Sequence, residues 1–427
     1  RLCGVLRVRN IESKTPGKIM KIEIQRKIDR IAGKAICRLL SLFPRKKEKG
    51  GVTTSSPRIL VILLSEMGSL VLAHPMFTYL KKHHPGAEIF VLVFKKNREC
   101  LETLNIVPAR NILTVHGDSL TALLKDSIRF VFRMRKEKLD GVIDCELFSR
   151  ISSIYAFLSG AGLRVGFHPH TQEGLYRGGF INRPVLYNPY RHISRQFVTL
   201  AKAMENGDGF PMVKRNVDED VFGIPTLNPN ADQQELLKIR LKRDFPETTG
   251  KELVLLYPGG GLLPIRAWPL NSYCTIATNL LAEGYVVGII GMKEDTPLAE
   301  VISSKCQSQY CIDLTGYTRT IMELITLLHF GSLLITNDGG PGHFASLTPI
   351  PSIIFFGPET PALYGPLSEK AVSFYEPLPC SPCVTAYNHR ESPCDGNNAC
   401  LKTIHPEEVF EKACELLKID TISPIIL

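Results

Sequence analysis

The sequence predicts an α/β protein of two doubly wound halves, and three observations carry that prediction. Short apolar runs alternate with amphipathic stretches of helical length in both halves of the chain. Two of the runs, Leu253-Val254-Leu255-Leu256-Tyr257 and Leu333-Leu334-Ile335-Thr336, leave into glycine-rich turns. The length, 427 residues, exceeds the size at which a single core usually stops growing, so two domains are expected. With 44% hydrophobic and 22% charged residues the chain is globular and not disordered. No uninterrupted apolar run approaches the roughly 20 residues that a membrane-spanning helix needs. The net charge of +9 gathers largely in the first fifty residues, which points to a local electrostatic role and away from a nucleic-acid partner.

Residues 1–57 read as a basic amphipathic segment followed by a linker. Ile24, Ile28, Ile31, Ala35, Leu39 and Leu42 recur at helical spacing, with Lys21, Arg26, Lys27, Arg30 and Lys34 between them and Arg45-Lys46-Lys47 beyond. Such a helix suits an anionic membrane surface, or else packs on the protein's own surface. Gly50 to Ser56 forms the linker. The first domain, residues 58–225, opens on the strand Arg58 to Leu64, which ends at Ser65-Glu66-Met67-Gly68-Ser69. A helix through Tyr79-Leu80-Lys81-Lys82, a turn at Pro85-Gly86 and a strand from Glu88 to Phe94 complete one unit. Another helix-strand pair ends at Gly141-Val142-Ile143-Asp144-Cys145-Glu146. The stretch from Met204 to Gly250, rich in Asn, Asp, Pro and Gly, connects to the second domain, residues 226–427. There alternation resumes near Glu252 and continues through Tyr285 to Ile290, Leu333 to Thr336 and Ser352 to Phe356.

The two glycine turns, Gly259-Gly260-Gly261 and Asp338-Gly339-Gly340-Pro341-Gly342-His343, have the chemistry of anion sites. Glycines let a phosphate approach the main chain, and amides freed at a helix start favour negative charge. The spacing is neither that of a dinucleotide-binding G-x-G-x-x-G nor that of a P-loop. Strand C-termini gather on one edge of a parallel sheet, so both turns are expected at one crevice. Arg266 follows the triple glycine and can bond two phosphate oxygens at once, unless it simply sits on a solvated loop.

Taken together, Glu66-Met67-Gly68, Arg266-x-Trp268-Pro269, Asn337-Asp338-Gly339-Gly340-Pro341-Gly342-His343 and Phe356-Gly357-Pro358-Glu359-Thr360-Pro361 resemble the bacterial ADP-heptose:lipopolysaccharide heptosyltransferases, family 9 of the glycosyltransferases. The resemblance runs from Arg58 to the last helix near Leu417. It implies a GT-B architecture, two Rossmann-like domains facing a cleft, with the nucleotide sugar held mainly by the second. It also implies metal-independent, inverting transfer, in which no Mg²⁺ is held against the diphosphate. The family's base is usually an aspartate directly after Met-Gly, where this chain has Ser69. A serine does not accept a proton unaided at neutral pH. Glu66, at the same strand exit, is therefore the expected base, the alternative being a carboxylate that only caps the following helix. Arg266 stands where the family normally has lysine and is expected to offset charge on the leaving diphosphate. Gly68, Ser69, Gly259, Gly260, Gly261, Asp338, Gly339, Gly340 and His343 are the expected donor-binding residues. Glu294, or its neighbour Asp295, is expected to meet the ribose.

For the acceptor, Asp144, Glu146, His168 and Arg177 gather in one stretch of the first domain, with His192 further on. Asp144 and Glu146 are rivals to Glu66 as base. Twelve cysteines are many, and Cys380, Cys383, Cys394 and Cys400 have a spacing open to structural zinc, free thiols or a disulfide; no cofactor is expected for catalysis. The expected partners are a nucleotide sugar such as ADP-heptose, a lipid-linked saccharide and an anionic membrane surface, on the cytoplasmic face of the bacterial inner membrane. The alternatives are a non-catalytic nucleotide-sugar-binding protein, suggested by Ser69, or a sugar-nucleotide epimerase of similar double fold.

Overall fold

A computed structural model describes residues 27–43, 51–52, 54–64, 66–117, 119–147, 149–167, 176–205, 223–261, 263–385 and 392–419. A π-helical turn at Asp29–Gly33 leads into α1 (Lys34–Leu40). The first sheet contains β1 (Arg58–Ile62), β2 (Glu88–Phe94), β3 (Ile112–Val115), β4 (Gly141–Asp144), β5 (Leu163–Phe167) and β6 (Arg183–Val185). Its helices are α2 (Met67–Leu72), α3 (His74–His83), α4 (Arg98–Leu104), α5 (Leu120–Glu137), α6 (Arg150–Leu158) and α7 (Ile193–Lys202).

The second half begins with α8 (Ala231–Asp244) and contains β7 (Leu253–Tyr257), α9 (Leu270–Ala282), β8 (Val286–Gly291), α10 (Thr296–Cys306), β9 (Cys311–Thr315) and α11 (Ile321–Phe330). There follow β10 (Gly331–Asn337), α12 (Gly340–Ala345), β11 (Ser352–Phe356), α13 (Pro361–Tyr364), β12 (Ala371–Tyr375), α14 (Ala399–Lys402) and α15 (Pro406–Ile419).

Every strand pairing is parallel, with Leu60 opposite both Phe90 and Val142 in the first sheet and Leu255 opposite Leu334 in the second. Parallel strands covered by helices on both faces read as unbroken apolar runs, and β7 is buried at all five positions. The strand orders are β3-β2-β1-β4-β5-β6 and β12-β11-β10-β7-β8-β9. Counted from each half's first strand these are the same doubly wound order. Each sheet therefore reverses direction beside its first strand, between β1 and β4 and between β7 and β10. Ligands of such sheets bind outside the carboxyl ends of the strands at that point. The expected two-part α/β architecture is what the chain adopts.

The N-terminal helix meets the first domain by its small and acidic side. The Asp29 carboxylate accepts from the Arg150 and Ile151 amides at 2.9 Å and so caps α6, while burial raises its pKa. A Cβ on Gly33 would come within 3.0 Å of the Arg150 Cβ, so glycine sets the approach. Cys37 is buried in a small cluster with Phe180 and Ile181. The expected apolar stripe faces away from the body: Ile28, Ile31, Ala35, Leu39 and Leu42 are all exposed. Lys21, Ile24, Arg26 and Arg45 to Lys47 lie outside the described residues.

Contacts from both halves close the cleft. The Glu99 carboxylate before α4's midpoint accepts from the Ile321 amide at the start of α11, at 2.6 Å. His192 Nε2 donates to the Gly365 carbonyl at 2.9 Å, and α2 packs directly on α12. In the second domain's core, Trp268 is 1% exposed, stacks on Phe355 at 4.3 Å and donates its indole N–H to the Ile404 carbonyl. Trp268→Ala removes that stack and leaves a cavity, and is expected to cost about 3–5 kcal/mol, read from the urea midpoint of far-ultraviolet circular dichroism.

Candidate active site

Three strand exits from the second sheet and one from the first deliver the site. After β1 the chain turns at Glu66 into α2, after β7 it passes the triple glycine to Arg266, after β10 it turns at Asp338-Gly339, and after β11 it reaches Glu359. The cavity they enclose, about 330 Å³ including its open mouth, is lined by Glu66, Ser69, Arg266, Asp338, His343 and Glu359, with Gly68, Gly339, Gly340, Leu72 and Tyr364 completing the wall.

Arg266 sits on a 3₁₀ turn, Pro264–Arg266, and is buried. Its Nε lies 3.5 Å from an Asp338 oxygen, its Nη1 lies 3.6 Å from a Glu66 oxygen, and its Nη2 pairs with Glu359. The Asp338 and Glu359 side chains are 6% and 3% exposed, whereas that of Glu66 is 34% exposed. The two buried carboxylates fix the plane of the guanidinium. Glu66 is the partner that solvent and an acceptor can reach. It occupies the N-cap position of α2 but its carboxylate makes no capping bond, so the capping alternative does not describe it.

Asn337 holds the second-domain turns together. Its amide donates to the Pro258 and Gly259 carbonyls, both at 3.0 Å, and its side-chain oxygen accepts from the Trp268 amide at 2.9 Å and the Tyr273 hydroxyl at 3.1 Å. The β7 and β10 exits are thereby locked into one surface. The helix that follows, α12, spans six residues, so its dipole is small. The helix start therefore carries less weight than expected, and the cation at the turn is Arg266, itself faced by Asp338, Glu359 and Glu66.

His343 is buried against α2. A Cβ on Gly68 would lie 2.3 Å from its Cδ2, so only glycine lets the two helices approach this closely. Burial, then the neighbouring His192 and Arg266, push the His343 pKa down to about 4, against the opposing pull of Glu66 and Glu359. Its Nδ1 has no hydrogen-bond partner among the described residues.

Other expected residues fall elsewhere. Gly259, Gly260 and Gly261 flank the cavity without lining it; Gly261 has φ +57°, a left-handed conformation that favours glycine. Glu294 is exposed on the turn Lys293–Asp295, while Asp295 turns toward β7, its Oδ1 2.9 Å from where a Gly259 Cβ would stand. Asp144 and Arg177 are corrected as acceptor residues. Asp144 is completely buried, pairs with Arg177 and accepts from Ser152 and Ser153 at 3.2 and 3.3 Å; Arg177 also donates to the Ser149 carbonyl. Both are committed to holding β4 to α6, so Asp144 does not serve as base. Glu146 is buried beside them and does not line the cavity, and His168 lies outside the described residues.

Cys380, Cys383, Cys394 and Cys400 share the segment that follows β12, and the Cys383 amide donates to the Pro358 carbonyl, bracing the loop that carries Glu359. Among the described residues no group of three or more His, Cys, Asp or Glu side chains is placed to hold a metal ion, so no step here is routed through zinc. Sequence reasoning missed the roles of Glu359, Asn337 and Tyr364. Glu359 carried a readable signal, a carboxylate two residues past a strand-Gly exit.

Fold and site together define a cleft enzyme of two doubly wound domains with a glycine turn beside a buried arginine in the second. The model of glycosyltransferase family 9 (heptosyltransferase) matches residues 128–392, more than half of the chain, and the protein belongs to that family. It is 24% identical over 322 residues to lipooligosaccharide heptosyltransferase 2 of Haemophilus ducreyi, covering 74% of this chain and 87% of that protein. Among solved structures, E. coli ADP-heptose lps heptosyltransferase II aligns with a TM-score of 0.64 at 20% identity, over 85% of this chain and 99% of the other. E. coli heptosyltransferase WaaC with ADP aligns with a TM-score of 0.59 at 16% identity, over 84% and 99%. The expected family is thus established and the protein is a glycosyltransferase, which sets aside the epimerase and the non-catalytic binder.

The depressed His343 pKa has a consequence for stability. Between the ordinary value of 6.5 and about 4 the unfolded chain is protonated at this residue while the folded protein is not. Stability from this group is therefore complete above that window and falls as pH drops through it, by up to about 3 kcal/mol at pH 4. His343→Gln is expected to flatten this slope in urea titrations run across the window.

Proposed function

We propose that the protein transfers heptose from ADP-heptose onto a lipid-linked saccharide of the lipopolysaccharide core type, inverting the anomeric centre without a metal. The observation that carries this reading is the Glu66–Arg266 juxtaposition, 3.6 Å across the cleft between the two sheet-reversal points. The curated relative from Haemophilus ducreyi is named a heptosyltransferase, and one structural neighbour was solved with ADP.

In the proposed reaction Glu66 accepts the proton of the acceptor hydroxyl as its oxygen bonds to the sugar's anomeric carbon. The bond from that carbon to the diphosphate oxygen breaks on the opposite face, and ADP departs with the electron pair. Arg266 and the Gly339 and Gly340 amides meet the charge that develops on the leaving group. Asp338 and Glu359 keep the guanidinium oriented, and His343 is available to a phosphate oxygen. Asp295 is the better placed of the acidic pair for the ribose. The substrate must enter between Glu66 and Arg266 and replace their contact. The place of action proposed is the cytoplasmic face of the bacterial inner membrane, held there peripherally. Among the described residues no helix is long and apolar enough to cross a membrane.

Glu66→Gln is expected to lower kcat by about 10²–10⁴-fold while ADP still raises the melting temperature as in the parent. Adding Ser69→Asp to that variant, which restores the carboxylate at the family's usual position, is expected to recover part of the turnover. Unchanged turnover in Glu66→Gln would remove Glu66 as the base.

A further inference from the structure

The longest helix of the first domain is turned the wrong way for a protein that meets only water. Of the 18 residues of α5, only Asp126, Phe130 and Met134 are buried. On the opposite side Leu120, Leu124, Ile128 and Phe132, each four residues from the last, form one apolar column whose members are between 51 and 75% exposed. Lys125, Arg129 and Arg133 form a second exposed column directly beside it, and Lys136 continues the apolar one. Single exposed apolar residues need no explanation, but a ten-to-twenty-ångström row of them on one helix does.

The N-terminal helix repeats the arrangement. Ile31, Leu39 and Leu42 point outward, with Lys34 and Arg38 exposed among them. Both helices pack on α6. Phe130 and Met134 of α5 share a cluster with Tyr155 and Ala156 of α6 over one face of the first sheet, and α6 in turn carries the N-terminal helix through Asp29. Phe43, just past α1, reaches Phe157 of α6 with ring centroids 6.2 Å apart. The α5 helix starts on the carboxyl side of β3, the edge from which Glu66 also emerges.

We infer that the outward faces of α5 and the N-terminal helix are one docking surface for an anionic lipid bilayer. Apolar side chains enter the acyl boundary while the adjacent cations meet headgroup phosphates, the pattern of an interfacial helix. A second copy of the chain is a poorer occupant, because a two-fold interface sets the lysine and arginine columns against themselves. The inference rests on the reading of the acceptor as lipid-linked and adds the surface that brings the cleft to it.

The test uses the full chain and vesicles, scored without turnover so that its outcome is separate from that of the reaction. Co-sedimentation is measured with vesicles of phosphatidylglycerol and phosphatidylethanolamine and with vesicles of phosphatidylcholine alone, at low and high salt. The parent is expected to bind the anionic vesicles, more weakly at high salt. Leu124→Glu with Phe132→Glu is expected to weaken binding by about tenfold or more, as is Ile31→Glu with Leu39→Glu. Lys125→Glu with Lys136→Glu is expected to weaken binding and reduce its salt dependence. Each variant should keep the parent's melting temperature and far-ultraviolet circular dichroism. Equal sedimentation of parent and variants overturns the proposal, as does a parent that ignores vesicles and forms a dimer abolished by the same substitutions in light scattering.

Discussion

The buried guanidinium of Arg266 has to be matched by negative charge, and the carboxylates that match it come from different strand exits. Asp338 follows β10, Glu359 follows β11 and Glu66 follows β1 of the other sheet. A charge taken out of water is tolerated only when its partners are held in place, so the loops bearing these residues are not free to wander. Asn337, at the end of β10, ties the Asp338 turn to the loop after β7 through the Pro258 and Gly259 carbonyls, and the cysteine-bearing segment braces the Glu359 loop at Pro358. The site is thus made of backbone exits locked by polar side chains, with the chemistry placed on top.

This construction also sets one carboxylate apart from the other two. Asp338 and Glu359 are enclosed and spent on orientation, while Glu66 stands at the rim of the same charge cluster. Ser69, on the first turn of α2 beside it, supplies no carboxylate, so the carboxylate at this strand exit is that of Glu66.

Much of this was legible in the chain because strands buried on both faces announce themselves as unbroken apolar runs. Leu253 to Tyr257 and Leu333 to Thr336 needed no context to be placed, and Arg266 and the Gly339-Gly340 turn that follow them do meet at one cavity. Periodicity was less informative for the N-terminal helix: it found the apolar stripe, but a stripe does not say which side touches the protein. There the deciding residues were Asp29, Gly33 and Cys37, two of them small and one charged, none conspicuous in a hydrophobic pattern. Asp144 and Arg177 misled for a related reason, since polar residues close in sequence suggest a binding surface equally well whether they face solvent or each other. Only the packing of β4 against α6 distinguishes the two. Glu359 lay about a hundred residues from Arg266, and no local signal joins residues that far apart.

The chain carries a single tryptophan, and its position turns a packing feature into an instrument. Trp268 is two residues beyond Arg266, and its amide is bonded to the same Asn337 that gathers the glycine turns. Any nucleotide that shifts the Arg266 turn strains that bond and alters the surroundings of the only indole. Occupancy of the donor half should therefore be visible as a change in intrinsic fluorescence, with no label and no turnover.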